Sequence, residues 1–182
     1  MTQLPIIFLL GPSGSGKSTL SGWLAEDLQM LHLEIDRWPD GNGIDLEGLR
    51  SEWKAFLETR QVDGLATVIR QRGREAGRRG AVLSFPSTLV LDPGLFQAGE
   101  GHGIKSFVLY GTAAECLAAF LDRERATGRK LSQEHWIQNN ANSYITHSRQ
   151  EFTHYRLQAF AAGGFRTRGD LVAEVTEKLG LD

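Results

Sequence analysis

The sequence Gly11-Pro12-Ser13-Gly14-Ser15-Gly16-Lys17-Ser18-Thr19 directly follows the apolar run Leu4-Pro5-Ile6-Ile7-Phe8-Leu9-Leu10. A phosphate chain carries several negative charges, so a loop that binds it needs glycines where the backbone and the phosphates come close. Gly11, Gly14 and Gly16 meet that need, and the backbone N–H groups of residues 14–19 can then point at the phosphates. The stretch therefore predicts a phosphate-binding loop.

The residues on both sides of this loop predict the strand and the helix that it requires. A continuous apolar run such as 4–10 is typical of a parallel strand that is covered on both faces. After Lys17, apolar residues recur at helical spacing up to Leu28, which indicates an amphipathic helix. The full pattern in this context indicates a P-loop rather than a plain glycine-rich turn. We expect ATP to be bound by Gly11, Pro12, Ser13, Gly14, Ser15, Gly16, Lys17, Ser18 and Thr19.

Two side chains of the loop have the chemistry that phosphoryl transfer needs. Lys17 is expected to reach the β- and γ-phosphates and to neutralise the charge that grows on the bridging oxygen. The Ser18 hydroxyl is expected to be a ligand of the Mg²⁺ that bridges the phosphates. The predicted cofactors are thus ATP and Mg²⁺, although the loop alone does not separate a kinase from a hydrolase.

The rest of the chain alternates between strand and helix patterns. Further strands are predicted at 31–35, 81–85, 106–110 and, weakly, 163–167. Further helices are predicted over 46–72, as one helix or two broken near Asp63; over 92–98, capped by Asp92; over 112–128, with a capping box; from 132–134 toward 149 or as far as 160; and up to 179, capped by Asp170. This alternation predicts a three-layer α/β/α P-loop NTPase fold, with a five-stranded parallel sheet and helices on both faces.

Composition limits the protein class and its partners. With 182 residues, 41% of them hydrophobic and 23% charged, the chain is expected to form one soluble globular domain, 1–182. A net charge of −2 without a basic tail gives no global argument for nucleic acid or an anionic membrane. Cys116 is the single cysteine, which excludes an internal disulfide and fits a reducing cytoplasm. The apolar run 4–10 is too short to span a bilayer. We expect a cytoplasmic monomer or homodimer.

The chain resembles the small kinases of the nucleoside-monophosphate-kinase-like group, above all the shikimate kinase and gluconate kinase types. The resemblance lies in the loop 11–19, in Glu34-Ile35-Asp36 at the tip of the second strand, and in the segment 123–129, which is similar to an arginine-bearing lid. It implies a small lid at about 123–140 and acceptor-binding helices at about 40–75. It also implies transfer of the γ-phosphate of ATP to a hydroxyl of a small metabolite.

In such kinases the second-strand acid binds the acceptor hydroxyl and helps to take its proton, a role that the resemblance gives to Asp36. Because the tips of parallel strands share one edge of the sheet, Asp36 should lie beside the γ-phosphate. The alternative is that Asp36 caps the turn before Trp38. Glu34 lies two residues back on the same face, and we place it with Asp36 at the acceptor; contact with Mg²⁺ through water is also open.

Arginines supply the remaining candidates. The resemblance implies that one lid arginine stacks on adenine, here Arg123, and that another meets the phosphates, here Arg129. The predicted catalytic residues are therefore Lys17, Asp36 and Arg129. Arg70 precedes the third strand and is a candidate for binding an anionic acceptor. For each arginine the alternative is a solvated helix charge.

The resemblance has gaps that leave the acceptor open. Ser84-Phe85-Pro86-Ser87 replaces the glycines that shikimate kinases carry after the third strand, and the lid histidine of the gluconate type is absent. Two further functions therefore stay open. One is a nucleotide-binding switch, although the guanine-reading Asn-Lys-x-Asp motif is missing. The other is a nucleic-acid end kinase that uses the basic segment 70–79.

Overall fold

The computed structural model describes residues 3–35, 47–85, 92–128, 133–162 and 164–180. In these ranges the chain forms strands and helices in the order β1 (Ile6–Leu10), α1 (Lys17–Asp27), β2 (Met30–Glu34), α2 (Glu47–Thr59), α3 (Asp63–Glu75), β3 (Gly80–Ser84), α4 (Gly94–Glu100), β4 (Ile104–Tyr110), α5 (Ala113–Ala126), α6 (Gln133–His147), a 3-10 helix (Gln150–Tyr155), β5 (Arg156–Gln158), β6 (Phe160–Ala161), β7 (Gly164–Phe165) and α7 (Arg168–Leu179).

Five strands form one parallel sheet in the order β2-β3-β1-β4-β5. The central strand is β1, and all five of its residues are buried. Its side chains alternate between two hydrophobic cores, because successive residues of a strand face opposite sides of the sheet. One core includes Phe8 and residues of α2 and α3, and the other includes Leu9 and residues of α1 and α7. The predicted sheet with helices on both faces is confirmed.

An aromatic cluster fixes α2 on the sheet. The ring of Phe8 lies 5.9 Å from that of Trp53, 5.8 Å from Phe56 and 5.5 Å from Phe85, each with edge-to-face geometry. Such pairs add to the free energy gained by burial. Trp53 is therefore part of the core and is 3% exposed.

The last strand of the main sheet is not the predicted strand at 163–167, and that prediction is wrong. The last strand is β5, which pairs with β4 through Val108 and Arg156, whereas residues 164–165 pair with 160–161 in a small antiparallel hairpin. The preceding helix α6 ends at His147 and does not continue to residue 160. Strand β5 has three residues, of which Leu157 is buried, and so short an alternation is hard to distinguish from a helix end.

Helix ends follow local hydrogen bonding. The predicted capping box of α5 is present, since Thr112 Oγ1 accepts from Glu115 N at 3.2 Å and Glu115 Oε2 accepts from Thr112 N at 2.7 Å. The residue that caps α7 is Thr167 and not the predicted Asp170, because Thr167 Oγ1 accepts from the N–H of residue 170.

The region 46–72 forms two helices that separate at residues 60–62, where Arg60 has a φ of 59°. None of the helices in the described ranges combines the length and the apolar character that crossing a membrane requires.

Candidate functional site

The loop at residues 11–16 leaves the carboxyl end of β1 and enters α1. It contains a tight turn in which Ser15 N donates to Pro12 O at 3.1 Å. Gly14 has a φ of 84°, and a Cβ atom there would lie 2.0 Å from the carbonyl oxygen of Cys116 in α5. Both the left-handed backbone and the close approach of α5 require glycine at this position.

The same loop ends at the start of α1, where Gly16 is the N-cap with a φ of 88°. The first N–H groups of a helix have no intrahelical partner, and the helix dipole adds a partial positive charge. The first turn of α1 carries no acidic residue that would offset this charge. Loop and helix start together form a surface suited to an anion.

The Lys17 side chain folds back onto the loop that precedes it. Its ammonium donates to Gly11 O at 2.9 Å and to Pro12 O at 3.2 Å. These bonds hold the charged group beside the loop that the sequence assigns to the phosphates. An ammonium at this position can move between loop carbonyls and an oxyanion with a small change of side-chain torsion.

The next residue of α1 is joined to the end of β2. Ser18 Oγ donates to Glu34 Oε1 at 2.5 Å. This bond links the first turn of α1 with the tip of β2. The sequence predicts that the strand tips and the loop lie at one edge of the sheet, as this contact requires. Hydroxyl and carboxylate oxygens are the ligand types that Mg²⁺ prefers.

A cavity of about 350 Å³ opens beside the loop. It lies between the start of α1, helix α5 and the hairpin β6–β7, and is lined by Ser13, Gly14, Gly16, Lys17, Ser18, Thr19, Ala119, Arg123, Phe160 and Phe165. The predicted adenine residue Arg123 is among them. Its guanidinium also pairs with Glu124 at 2.8 Å and lies 5.3 Å from the ring centre of Phe120. A polar loop next to an apolar wall is typical of a small-molecule site.

Arg70 is not brought to this site. Its Nε donates to Leu4 O at 3.1 Å, and its Nη2 donates to His102 O. Both carbonyls precede parallel strands, β1 and β4, and therefore lie at the amino edge of the sheet, opposite the loop. Burial lowers the pKa of Arg70.

The basic segment 70–79 follows the same edge, since Arg79 N donates to Gln29 O, just before β2. Asp36, Trp38 and Arg129 lie outside the described residues.

Sequence reasoning missed one residue of the site, Asn140 in α6. Its Nδ2 donates to Ser13 O in the loop at 2.7 Å, and the residue is 3% exposed. Asn140 lies in the polar stretch 138–142 of the sequence. In the sequence, Asn140 is one amide among several polar residues of a mainly exposed stretch. The contact of α6 with the loop is what distinguishes Asn140 from its neighbours.

Helix α6 places two more side chains on the same side as Asn140, at the helical spacing of Tyr144 and His147. The Tyr144 hydroxyl lies 3.0 Å from that of Tyr110, at the end of β4, and Arg156 lies over the Tyr110 ring at 4.4 Å. Burial raises the pKa of Tyr144 to about 12. These contacts fix α6 against the carboxyl edge of the sheet.

His147 is a buried neutral imidazole and is 3% exposed. Its Nδ1 must donate to Ser143 O at 2.9 Å, because a carbonyl can only accept, and this sets the tautomer. Burial is the main cause that lowers the pKa of His147 to about 4; the hydrogen bond to Ser143 O opposes this shift, and the positive charges of Lys17 and Arg156 contribute to it.

Solved structures share this fold over nearly the whole chain. Shikimate kinase from Acinetobacter baumannii in complex with shikimate is 22% identical, with 98% of this chain and 95% of that chain covered and a TM-score of 0.52. TT1252 from Thermus thermophilus is 15% identical, with 99% and 98% covered and a TM-score of 0.56. The tunicamycin resistance protein of Deinococcus radiodurans is 15% identical, with 98% and 96% covered and a TM-score of 0.52.

These similarities confirm the three-layer α/β/α fold with a five-stranded parallel sheet that the sequence predicts. They also confirm, at the level of the fold, the resemblance to the shikimate kinase type. No family model matched the sequence, and no curated protein matched it.

The buried His147 predicts a pH dependence of stability. Its pKa is about 4 in the folded chain and about 6.5 in the unfolded chain, so the unfolded state binds more protons between these values. The stabilisation from the neutral ring is complete above pH 6.5 and is lost as the pH falls toward 4. The loss should reach about 3 kcal/mol.

Urea unfolding of the wild type and of His147→Gln at several pH values measures this loss. The wild type should lose more stability than the variant across this range. His154→Gln, at an exposed histidine, serves as the control and should follow the wild type. Parallel curves for the wild type and His147→Gln would contradict the assignment.

Proposed function

We propose that the protein is an ATP- and Mg²⁺-dependent kinase that transfers the γ-phosphate to a hydroxyl of a small metabolite. The observation that carries the proposal is the hydrogen bond of 2.5 Å between Ser18 and Glu34. It joins the start of α1 to the tip of β2, while the ammonium of the preceding residue, Lys17, donates to the loop carbonyls Gly11 O and Pro12 O. A cation, a hydroxyl and a carboxylate thus lie at the same edge of the sheet, which supports phosphate and metal binding there.

The loop and the cavity beside it account for nucleotide binding in this proposal. Backbone N–H groups of residues 14–19 and the start of α1 bind the phosphate chain. The base enters the cavity, where Arg123 offers a planar cation and Phe165 an aromatic ring. The cavity volume of about 350 Å³ lies within the range of small-molecule sites.

Ser18 and Glu34 fit a magnesium site by the chemistry of their oxygens. A Mg²⁺ ion held there would supply positive charge that offsets the charge of the phosphate chain during transfer. In this proposal the Ser18 hydroxyl would hold the metal, and the Glu34 carboxylate, which accepts from that hydroxyl, would orient it or support the metal through water. This refines the sequence-based assignment of Glu34 to the acceptor.

In the proposed reaction, the bond between the γ-phosphorus and the bridging oxygen breaks, and a bond to the acceptor oxygen forms. Lys17 neutralises the charge on the departing ADP. Asp36, two residues beyond Glu34, orients the acceptor hydroxyl and takes its proton. Arg129 is proposed to stabilise the charge on the transferring group. Positioning and charge neutralisation supply most of the rate enhancement because the transition state is loose.

The comparisons support a small acceptor without naming it. One protein of the same fold is a kinase in complex with shikimate. In this chain Ser84 and Phe85 stand where the shikimate type has glycines, which argues for a different acceptor. The segment 70–79 lies at the opposite edge of the sheet, which gives the nucleic-acid end kinase no support.

An acceptor screen tests the proposal. The protein is incubated with ATP, Mg²⁺ and pools of sugar acids, polyols, nucleosides or antibiotics, and ADP release is measured. At least one pool should raise release above the rate without acceptor. Lys17→Ala should abolish this stimulation, since the loss of one charge-stabilising group costs about 10²-fold or more. If no pool stimulates release, or if Lys17→Ala retains full activity, the kinase proposal fails.

Replacing Glu34 by Gln tests the metal site separately. The amide keeps the size of the side chain but removes the charge that supports Mg²⁺ binding. The Mg²⁺ concentration for half-maximal ADP release should rise roughly tenfold, a change typical of altered ligand support. Glu177→Gln, at an exposed position of α7, is the control and should not change it. An unchanged Mg²⁺ dependence in Glu34→Gln would remove Glu34 from the site.

A further inference from the structure

We propose that Asn140 is a positioning residue that orients the Ser13–Gly14 peptide so that the Gly14 N–H faces the phosphates. The inference rests on the proposed function, because it requires the loop to bind a polyphosphate. It adds helix α6, which is remote in sequence, to the phosphate-binding machinery.

The geometry of one peptide carries the argument. The Asn140 amide donates to Ser13 O at 2.7 Å. A trans peptide is planar, and its C=O and N–H groups point in opposite directions. Because the carbonyl of Ser13 points at α6, the N–H of Gly14 in the same peptide points away from α6. The cavity beside the loop is lined by both Ser13 and Gly14, which places this peptide at its wall.

The backbone at this point does not hold its orientation by itself. Gly14 has a φ of 84°, and glycine adopts conformations on both sides of the φ map at little cost. Rotation of the peptide would exchange the N–H for a carbonyl oxygen, which repels a phosphate. An external hydrogen bond to Ser13 O prevents this exchange. Asn140 supplies that bond from a buried position.

Asn140 has mainly apolar surroundings, in which packing alone would favour a hydrocarbon side chain over an amide. It borders an apolar groove between α5 and α6, with Ala113, Leu117, Ala141 and Tyr144 among the lining residues. A buried amide costs free energy unless it is hydrogen bonded, whereas leucine would suit an apolar groove. Helix α5 approaches the same loop residue, since Cys116 O lies where a Cβ of Gly14 would be. The Ser13–Gly14 peptide is thus held between two helices.

A carboxyl group at position 140 distinguishes orientation from packing. Asn140→Asp keeps the shape, but an ionised carboxylate cannot donate to Ser13 O and repels it. A protonated carboxyl can donate. Burial next to a carbonyl raises the pKa of such an acid, so its donor capacity should return at mildly acidic pH. Asn140→Leu lacks a donor at every pH.

The experiment measures binding of ATP with Mg²⁺, and of inorganic tripolyphosphate, by titration calorimetry at about pH 8 and about pH 5.5. Asn140→Asp should bind both probes roughly tenfold more weakly than the wild type at the higher pH, and should recover at the lower pH. Asn140→Leu should be weakened at both values. Asn142→Asp, at an exposed position of the same helix, is the matched control and should bind like the wild type.

The outcomes separate this inference from the proposed function. If the wild type binds neither probe, the proposed function fails and the inference fails with it. If the wild type binds and Asn140→Leu binds equally well, only the inference is overturned. Loss of affinity in Asn140→Asp that is the same at both pH values also overturns it, because packing alone would give that result.

A measurement on the unaltered chain covers variants that do not fold. In glycine labelled with ¹⁵N, the amide resonance of Gly14 should shift strongly when tripolyphosphate is added, since its N–H gains an anionic acceptor. Gly22, in α1, faces open space on the side where a side chain would project, and its resonance should shift little. A Gly14 resonance that does not move at saturation overturns the inference.

Discussion

The structure depends on the constraint that β1 is buried on both faces and ends directly at the glycine-rich loop 11–16. Burial of every β1 side chain fixes where this strand ends, and therefore where Gly11 and the start of α1 lie. The sheet order places β3 and β4 on either side of β1, so that neighbouring strand tips surround the loop. A site made of backbone N–H groups needs such a rigid base, because small displacements would misalign its donors.

Around this base, the site is assembled from parts that are distant in sequence. Strand β2 supplies Glu34, which accepts a hydrogen bond from Ser18. Helix α5 and the hairpin β6–β7 supply the cavity wall, and α6 supplies Asn140, which donates to Ser13 O. The Ser18–Glu34 pair contributes charge, the cavity wall contributes shape, and Asn140 contributes backbone orientation. In the kinase proposal the loop binds the phosphates, and these additions distinguish a kinase from other phosphate-binding proteins.

Sequence reasoning predicted the elements whose signals are local. The loop pattern, the apolar run of β1 and the capping box of α5 each depend on residues within a few positions, and the structure contains all three. The short strand β5 was missed because three residues carry too little periodicity, and pairing with β4 decides its state. Asn140 and the remote position of Arg70 could not be found because both depend on which helix packs at which edge.

The central claim is that the loop directs the γ-phosphate of ATP to a hydroxyl of a small molecule. Phosphorus NMR of a reaction with ATP, Mg²⁺ and a stimulating acceptor pool follows that phosphate directly. The account predicts that a new phosphomonoester resonance grows as the γ-phosphate signal of ATP declines and the ADP signals rise. If the γ-phosphate appears only as inorganic phosphate, the protein is a hydrolase or a nucleotide switch, and the account is contradicted.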